Sequence, residues 1–279
     1  MRHPSPVLAL WRSSHPGPSL VVTAVAVTLG FAAGLEPWRI AVLGAAILCG
    51  QLSVGISNDA IDAARDRTTG RHDKPLARGD VSVRAAWVAA YGAVVVALAF
   101  SLVLSGWMAL AHLVALASAW GYNAGLKSTP ISVLPFIVSF GLLPSLVTLS
   151  ATEPSLAPGW AWVAGGALGV AIHLTNVLPD LDDDALTGVR GLPHRLGRRV
   201  SAVIAGVALV VGAVAVLIGP DAGISAFAAI AFAGVVVIAL AGLVFALVRP
   251  PGRGVFRLVM LAALLLCVQL AATGQALAG

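Results

Sequence analysis

The chain has 279 residues, 59% of them hydrophobic and 10% charged, with a mean hydropathy of +0.96. A soluble domain carries about a quarter charged residues, so this composition excludes a water-soluble enzyme and suits a surface that faces lipid. The formal net charge of +5 comes from basic loops of the kind that flank membrane spans and gives no case for nucleic acid.

A spanning helix needs about 20 apolar residues. Read from the N-terminus, nine such stretches occur, at 17–35, 38–58, 82–104, 106–123, 131–151, 160–178, 200–219, 223–248 and 255–277. A single all-α, multi-pass domain over residues 1–279 is therefore expected. The first stretch has no small-residue cleavage pattern and is followed by further spans, so it reads as a helix and not as a signal peptide. With nine spans, 16 of the 17 basic residues fall on one side and only Arg39 on the other. The positive-inside rule then predicts a cytoplasmic N-terminus and cytoplasmic even-numbered loops. The Ala-, Val- and Arg-rich composition suggests a bacterial plasma membrane. Cys49 and Cys267 both fall in spans and read as small core residues.

Nine of the 12 acidic residues lie in two places, and these are copies of one pattern. The first reads "NDAIDAARDRTTGRHDKPLARG", Asn58 to Gly79; the second reads "NVLPDLDDDALTGVRGLPHRLG", Asn176 to Gly197. A constant offset of 118 residues pairs Asn58 with Asn176, Asp62 with Asp180, Asp66 with Asp184, Gly70 with Gly188, Pro75 with Pro193 and Gly79 with Gly197. Each copy follows an apolar span, which predicts that the two face each other across a shared cavity. The spacing N-x₃-D-x₃-D puts each trio on one helical face, and Asp59 joins the first. Pro179 is expected to kink or end the second helix just before Asp180.

Such clusters are costly without a counter-charge. Like charges at i, i+4 cost about 0.2–0.5 kcal/mol, and carboxylates near a helix C-terminus oppose the macrodipole by roughly 0.3–1 kcal/mol each. A cation removes both penalties. Ligands limited to carboxylates and carboxamides select a hard ion, Mg²⁺ ahead of Ca²⁺ or Mn²⁺, and Mg²⁺ commonly shares its shell with phosphates. Arg65, Arg71, Lys74, Arg78, Lys127 and Arg190 lie just beyond the acids. Lys127 stands out as the sole basic residue of its loop, "YNAGLKSTP", four residues after Asn123.

At this point the sequence resembles the UbiA superfamily of intramembrane prenyltransferases. The resemblance rests on the two aspartate-rich motifs, "LWRSSHPGPSL" and "YNAGLK", and covers most of the chain. It implies nine helices around a central cavity. It also implies Mg²⁺-dependent ionisation of a prenyl diphosphate, with transfer of the prenyl group to an aromatic or other lipophilic acceptor within the lipid bilayer. Carried over residue by residue, it gives one Mg²⁺ to Asn58, Asp59, Asp62 and Asp66 and a second to Asn176, Asp180 and Asp184, the two ions bridging the diphosphate. Asp62, Asp66, Asp180 and Asp184 would be the catalytic carboxylates; Lys127, Arg71, Lys74, Asn123 and Arg190 would hold the diphosphate. Two positions depart from the common pattern, Lys74 where many members have Arg and Asn123 where many have an aromatic residue, and they leave the acceptor open.

An allylic cation needs a dry, electron-rich lining. Tyr91, Trp120, Tyr122, Phe136 and Phe140 are the candidate aromatic faces, and Tyr122, Phe136, Phe140 and His173 the expected cavity residues. His112 and His173 are ionisable groups inside spans. Gly165 and Gly169 form a small-xxx-small pair suited to close helix packing. Two other functions fit the same motifs. An acceptor-free terpene cyclase would use the same ionisation. A cation-coupled transporter would place its acids nearer mid-membrane.

Overall fold

The computed structural model describes residues 5–71, 73–179, 181, 188–221, 223–248, 253–272 and 277, and no strand occurs among them. The helices are α1 (Pro6–Ser13), α2 (Pro16–Ala32), α3 (Pro37–Thr68), α4 (Pro75–Arg78), α5 (Val83–Leu104), α6 (Gly106–Ala124), α7 (Leu134–Thr148), α8 (Gly159–Asn176), α9 (Leu192–Ile218), α10 (Ala226–Val248) and α11 (Arg253–Ala272). Proline in the first turn opens α1, α2, α3 and α4, where its missing N–H costs nothing. Ser5, Ser82 and Ser105 cap α1, α5 and α6 through their side chains.

Each of the nine apolar stretches overlaps a helix. Among the described residues, four helices are long and apolar enough to cross a bilayer: α3, α5, α9 and the Ala226–Ala246 part of α10. The α1–α2 pair, bent by 67°, makes a fifth. Neighbouring helices pack in sequence, α2 on α3, α5 on α6, α6 on α7, α7 on α8, α8 on α9 and α10 on α11, and α11 returns to α2 and α8 to close the bundle. α5 shows how the bundle is turned inside out relative to a soluble protein. Its inner face is Ala86, Ala90 and Ala97, fully buried, while Val88, Val95 and Leu102 are each about two-thirds exposed. Small residues allow the helices to approach, and branched ones meet lipid. This is a membrane protein.

The span expected to stop at 58 does not stop there: α3 runs 32 residues, through the first acidic motif to Thr68. No helix breaker precedes Thr69-Gly70, and Arg65 and Arg67 complement the helix C-terminus.

The internal repeat is also structural. Gly70 and Gly188 both have positive φ, 69° and 82°, and so do Gly79 and Gly197, 81° and 78°. Gly79 ends the single-turn helix that Pro75 begins; Gly197 breaks α9 a few residues after Pro193. In both copies a proline-led turn is followed by a glycine at positive φ, Gly79 with ψ 17° and Gly197 with ψ 167°, backbone regions open to glycine because it lacks Cβ.

Candidate active site

The last three turns of α3 carry the first acidic cluster into the bundle. Asp59, Asp62 and Asp66 are only 2%, 6% and 3% exposed. Each is met by a cation from another part of the chain. Lys127 Nζ lies 2.6 and 2.7 Å from the two carboxylate oxygens of Asp62 and 3.4 Å from Asn58 Oδ1. Lys74 Nζ bridges Asp59 at 3.1 Å and Asp66 at 2.9 Å. Arg65 reaches Asp62 at 2.8 Å, and His15 Nε2 lies 3.1 Å from Asp59. Buried carboxylates demand this compensation.

The two lysines differ electrostatically. Burial depresses the pKa of Lys74, but the Asp59 and Asp66 carboxylates outweigh it and the net shift is upward. For Lys127 burial prevails: assisted by nearby Arg65 and Lys74, it outweighs the pull of Asp62 and lowers the pKa.

The other expected ligands divide. Arg71 pairs with Asp73 at 3.1 Å, and both border the cavity mouth with Lys74. Asn176, the last residue of α8, also borders the cavity. Asn123 is buried and donates its amide to the Val54 carbonyl at 2.9 Å and to Ser57 Oγ at 3.0 Å, clamping α6 to α3 beside the acids. Arg190 is exposed and does not border the cavity among the described residues. Asp180 and Asp184 lie outside the described residues.

Beneath this rim is a cavity of about 650 Å³. Tyr122, Phe136, Phe140 and His173 all line it. Phe136 and Phe140 are parallel with centroids 6.2 Å apart, Tyr122 meets Phe136 edge-on at 5.0 Å, and His173 lies 4.8 Å from Phe136. The glycine pair of α8 sets this wall in place: a Cβ at Gly165 or Gly169 would collide with the Phe140 or Phe136 carbonyl. Ser132 Oγ accepts from Leu192 N–H at 2.9 Å and lies 3.0 Å from His173 Nε2. With Gly191 packed on the Lys127 carbonyl, this hub ties the end of the second motif to the lysine loop. Tyr91 and Trp120 do not join the wall. Tyr91 is 57% exposed on the outer side of α5, stacked on Trp87 and 5.3 Å from Trp120, and Trp120 Nε1 donates to Ser53 at 3.3 Å.

Sequence reasoning gave no role to His15, which sits at the bend between α1 and α2 with φ 53°. That is an uncommon conformation for a non-glycine residue. It is held where Ser14 packs against Gly55 and the ring reaches Asp59. The available signal was the dipeptide His15-Pro16 just ahead of a span. Arg12 and His194 border the cavity as well.

Asn58, Asp59, Asp62 and Asp66 form a set of hard oxygen donors on one helix. Among the described residues no three His, Cys, Asp or Glu side chains converge into a closed metal shell. Such a partial donor set fits Mg²⁺, which takes one or two carboxylates and completes its shell with water and phosphate oxygens.

The fold and rim define a helical membrane protein with a rim of buried carboxylates and lysines above an apolar chamber. Residues 19–264 match the model of the UbiA prenyltransferase family, and the chain belongs to that family. No curated protein matches the sequence. Among solved structures, a UbiA homolog from Archaeoglobus fulgidus bound to GPP and Mg²⁺ superimposes with a TM-score of 0.75 at 15% identity, covering 97% of this chain and 99% of that one. The apo UbiA homolog from Aeropyrum pernix K1 gives 0.74 at 18% identity, covering 92% and 98%. A digeranylgeranylglyceryl phosphate synthase gives 0.72 at 11% identity, covering 96% and 98%. At these identities the likeness establishes the fold.

Proposed function

We propose that the protein is a Mg²⁺-dependent intramembrane prenyltransferase that ionises an isoprenyl diphosphate and passes the prenyl group to an aromatic or other lipophilic acceptor. The observation that carries this reading is the junction of two opposite chemistries in one cavity. The rim holds Asp59, Asp62, Lys74, Lys127 and Arg65, with Asp66 outside the cavity lining and paired to Lys74; the chamber below is walled by aromatic and aliphatic side chains. The ligand that matches both ends is a hydrocarbon chain with a polyanionic head. The Archaeoglobus homologues bound to GPP or DMAPP with Mg²⁺ support the same substrate class.

Asn58, Asp59, Asp62 and Asp66 would hold one Mg²⁺, and Asn176, Asp180 and Asp184 a second. Bound there, Mg²⁺ supplies Lewis-acid stabilisation of the departing diphosphate. Lys127 and Lys74 would exchange carboxylate for phosphate oxygens, with Arg71 at the mouth, and so orient the head group. The faces of Tyr122, Phe136 and Phe140 would stabilise the allylic cation beneath it, and the apolar wall would keep water away until the acceptor attacks. The N-terminus and acidic loops would face the cytoplasm.

The test is pyrophosphate release from C10, C15 and C20 prenyl diphosphates by the purified protein in nanodiscs, with a panel of phenolic and lipid acceptors. Mg²⁺-dependent release coupled to a prenylated acceptor is expected; diphosphates left intact across the panel would sink the reading. Acceptor-free closure of the chain shares the ionisation step and would show in the same assay as hydrocarbon formed without acceptor.

A further inference from the structure

Four of the helices around the chamber end their lining at a definite residue: Val25 on α2, Ile47 on α3, His112 on α6 and Leu146 on α7. One turn further from the rim stand Leu29, Leu43 and Met108, and next to Leu146 stands Val147. All four are 0–1% exposed and belong to one packed cluster, and none of them borders the chamber. Among the described residues the chamber is therefore blind at its far end. His112 is the one polar side chain of that floor. Ser101 Oγ lies 2.8 Å from both His112 Nδ1 and the Ala97 carbonyl, which holds the imidazole in place from behind.

The depth of this blind end can be measured along α3. Ile47 precedes Asn58 by eleven residues of that helix, roughly 16 Å of axial rise. The His112 ring closes part of the floor higher up. Its Nε2 lies against Gly50, where a Cβ would stand 2.7 Å away, and Gly50 is eight residues from Asn58, roughly 12 Å. An isoprene unit spans four bonds, roughly 4–5 Å when extended, by the bond geometry that gives about 3.5 Å per three-bond residue. Three units, roughly 12–15 Å, fill the depth below a head group at the rim. Four units, roughly 16–20 Å, do not fit. The fourth meets the His112 ring, with Leu43 and Met108 behind it, and to the side the packed pair α2 and α11.

We infer that the chamber gauges chain length: it takes prenyl diphosphates of up to three isoprene units, C10 and C15, and excludes C20, with His112 as the residue that sets the limit. This rests on the substrate class proposed above and adds the length of its hydrocarbon tail. Within the limit each further unit buries more apolar surface and strengthens binding; beyond it the added methylenes overfill a closed pocket. His112 can be removed without leaving a buried donor unpaired, because Ser101 keeps its bond to the Ala97 carbonyl. Its loss opens the step between the Gly50 and Ile47 levels, roughly 4 Å, the length of one isoprene unit. Ala119 lies on the same side of α6, about two turns nearer the rim, and also lines the chamber. A larger side chain there raises the floor.

The experiment uses full-length protein in nanodiscs with Mg²⁺. It reads pyrophosphate release from C10, C15 and C20 prenyl diphosphates with the acceptor panel and, in parallel, calorimetric binding of the slow-reacting C10, C15 and C20 prenyl S-thiolodiphosphates. Wild type should bind C15 most tightly and C20 about tenfold or more weaker, the scale of overfilling an apolar pocket, with kcat/KM in the same order. His112→Ala should bring C20 to the level of C15. Ala119→Leu should lower C15 to the level of C20 and leave C10 in place. Shifts in opposite directions separate a change of depth from a folding defect, which would weaken all three lengths together. Equal binding of C15 and C20 by wild type would overturn the inference, and so would an order of preference that neither variant changes. Diphosphates left intact at every length, with the binding order as expected, would overturn the transfer reading and leave the gauge standing.

Discussion

Asp62 carries more of the site than any other described residue, because Lys127 and Arg65 both converge on it while its side chain is almost fully buried. If it is a Mg²⁺ and diphosphate anchor, Asp62→Ala should abolish pyrophosphate release while the protein still inserts and runs as a folded species on size exclusion; near-normal turnover would remove it from the machinery. Lys127 has a charge the positive-inside rule alone could explain, yet it donates to both Asp62 oxygens. Lys127→Ala should raise the Michaelis constant for prenyl diphosphate about tenfold, the scale of one lost charge-assisted hydrogen bond, and an unaltered constant and rate would return it to a topological role. The motif itself, the lysine and the aromatic wall were legible in the sequence, since helical spacing fixes which residues share a face. What was not legible is who neutralises whom. Asp59 draws on His15, 44 residues away, and Asp62 on Lys127, 65 away, and local spacing encodes neither contact.

At the scale of elements, two glycine devices position the site. α8 lies on α7 through Gly165 and Gly169, whose missing side chains admit the Phe140 and Phe136 carbonyls and so bring both rings to the cavity. Gly169→Val should lower stability by about 1–3 kcal/mol through overpacking, read as a drop in the midpoint of thermal unfolding in detergent. Gly17→Ala, with nothing within 4 Å of the added carbon, is the matched control and should leave the midpoint in place. Gly197, at φ 78°, turns the chain from the second motif into the long rod of α9. Gly197→Ala should cost roughly 1–3 kcal/mol for forcing Cβ into an extended positive-φ region that is essentially glycine-only, and a midpoint equal to wild type would show that the turn relaxes freely. The small-xxx-small pair and the paired Gly79 and Gly197 could be read from sequence because each leaves a periodic trace. The length of α3 could not: the acidic motif looks like a helix end, and its continuation to Thr68 depends on buried ion pairs made with other segments.

For the whole molecule, the defining feature is the inversion of polarity. Branched and aromatic side chains such as Val88, Leu102, Trp107 and Ile230 cover the outside, while carboxylates and histidines occupy the interior. Such an exterior is covered only within a membrane or its mimic, and the burial of the rim makes its charges expensive unless they are paired, as Asp59, Asp62 and Asp66 are. The account stands or falls on whether that rim ionises a prenyl diphosphate with a metal. The most direct measurement is initial pyrophosphate release by nanodisc-embedded protein with C10, C15 and C20 prenyl diphosphates and the acceptor panel, run with Mg²⁺, with excess EDTA, and with Asp62→Asn in place of wild type. The account predicts release by wild type in Mg²⁺ and loss to background in the other two arms. Release that survives EDTA, or that Asp62→Asn sustains at the wild-type rate, would contradict it.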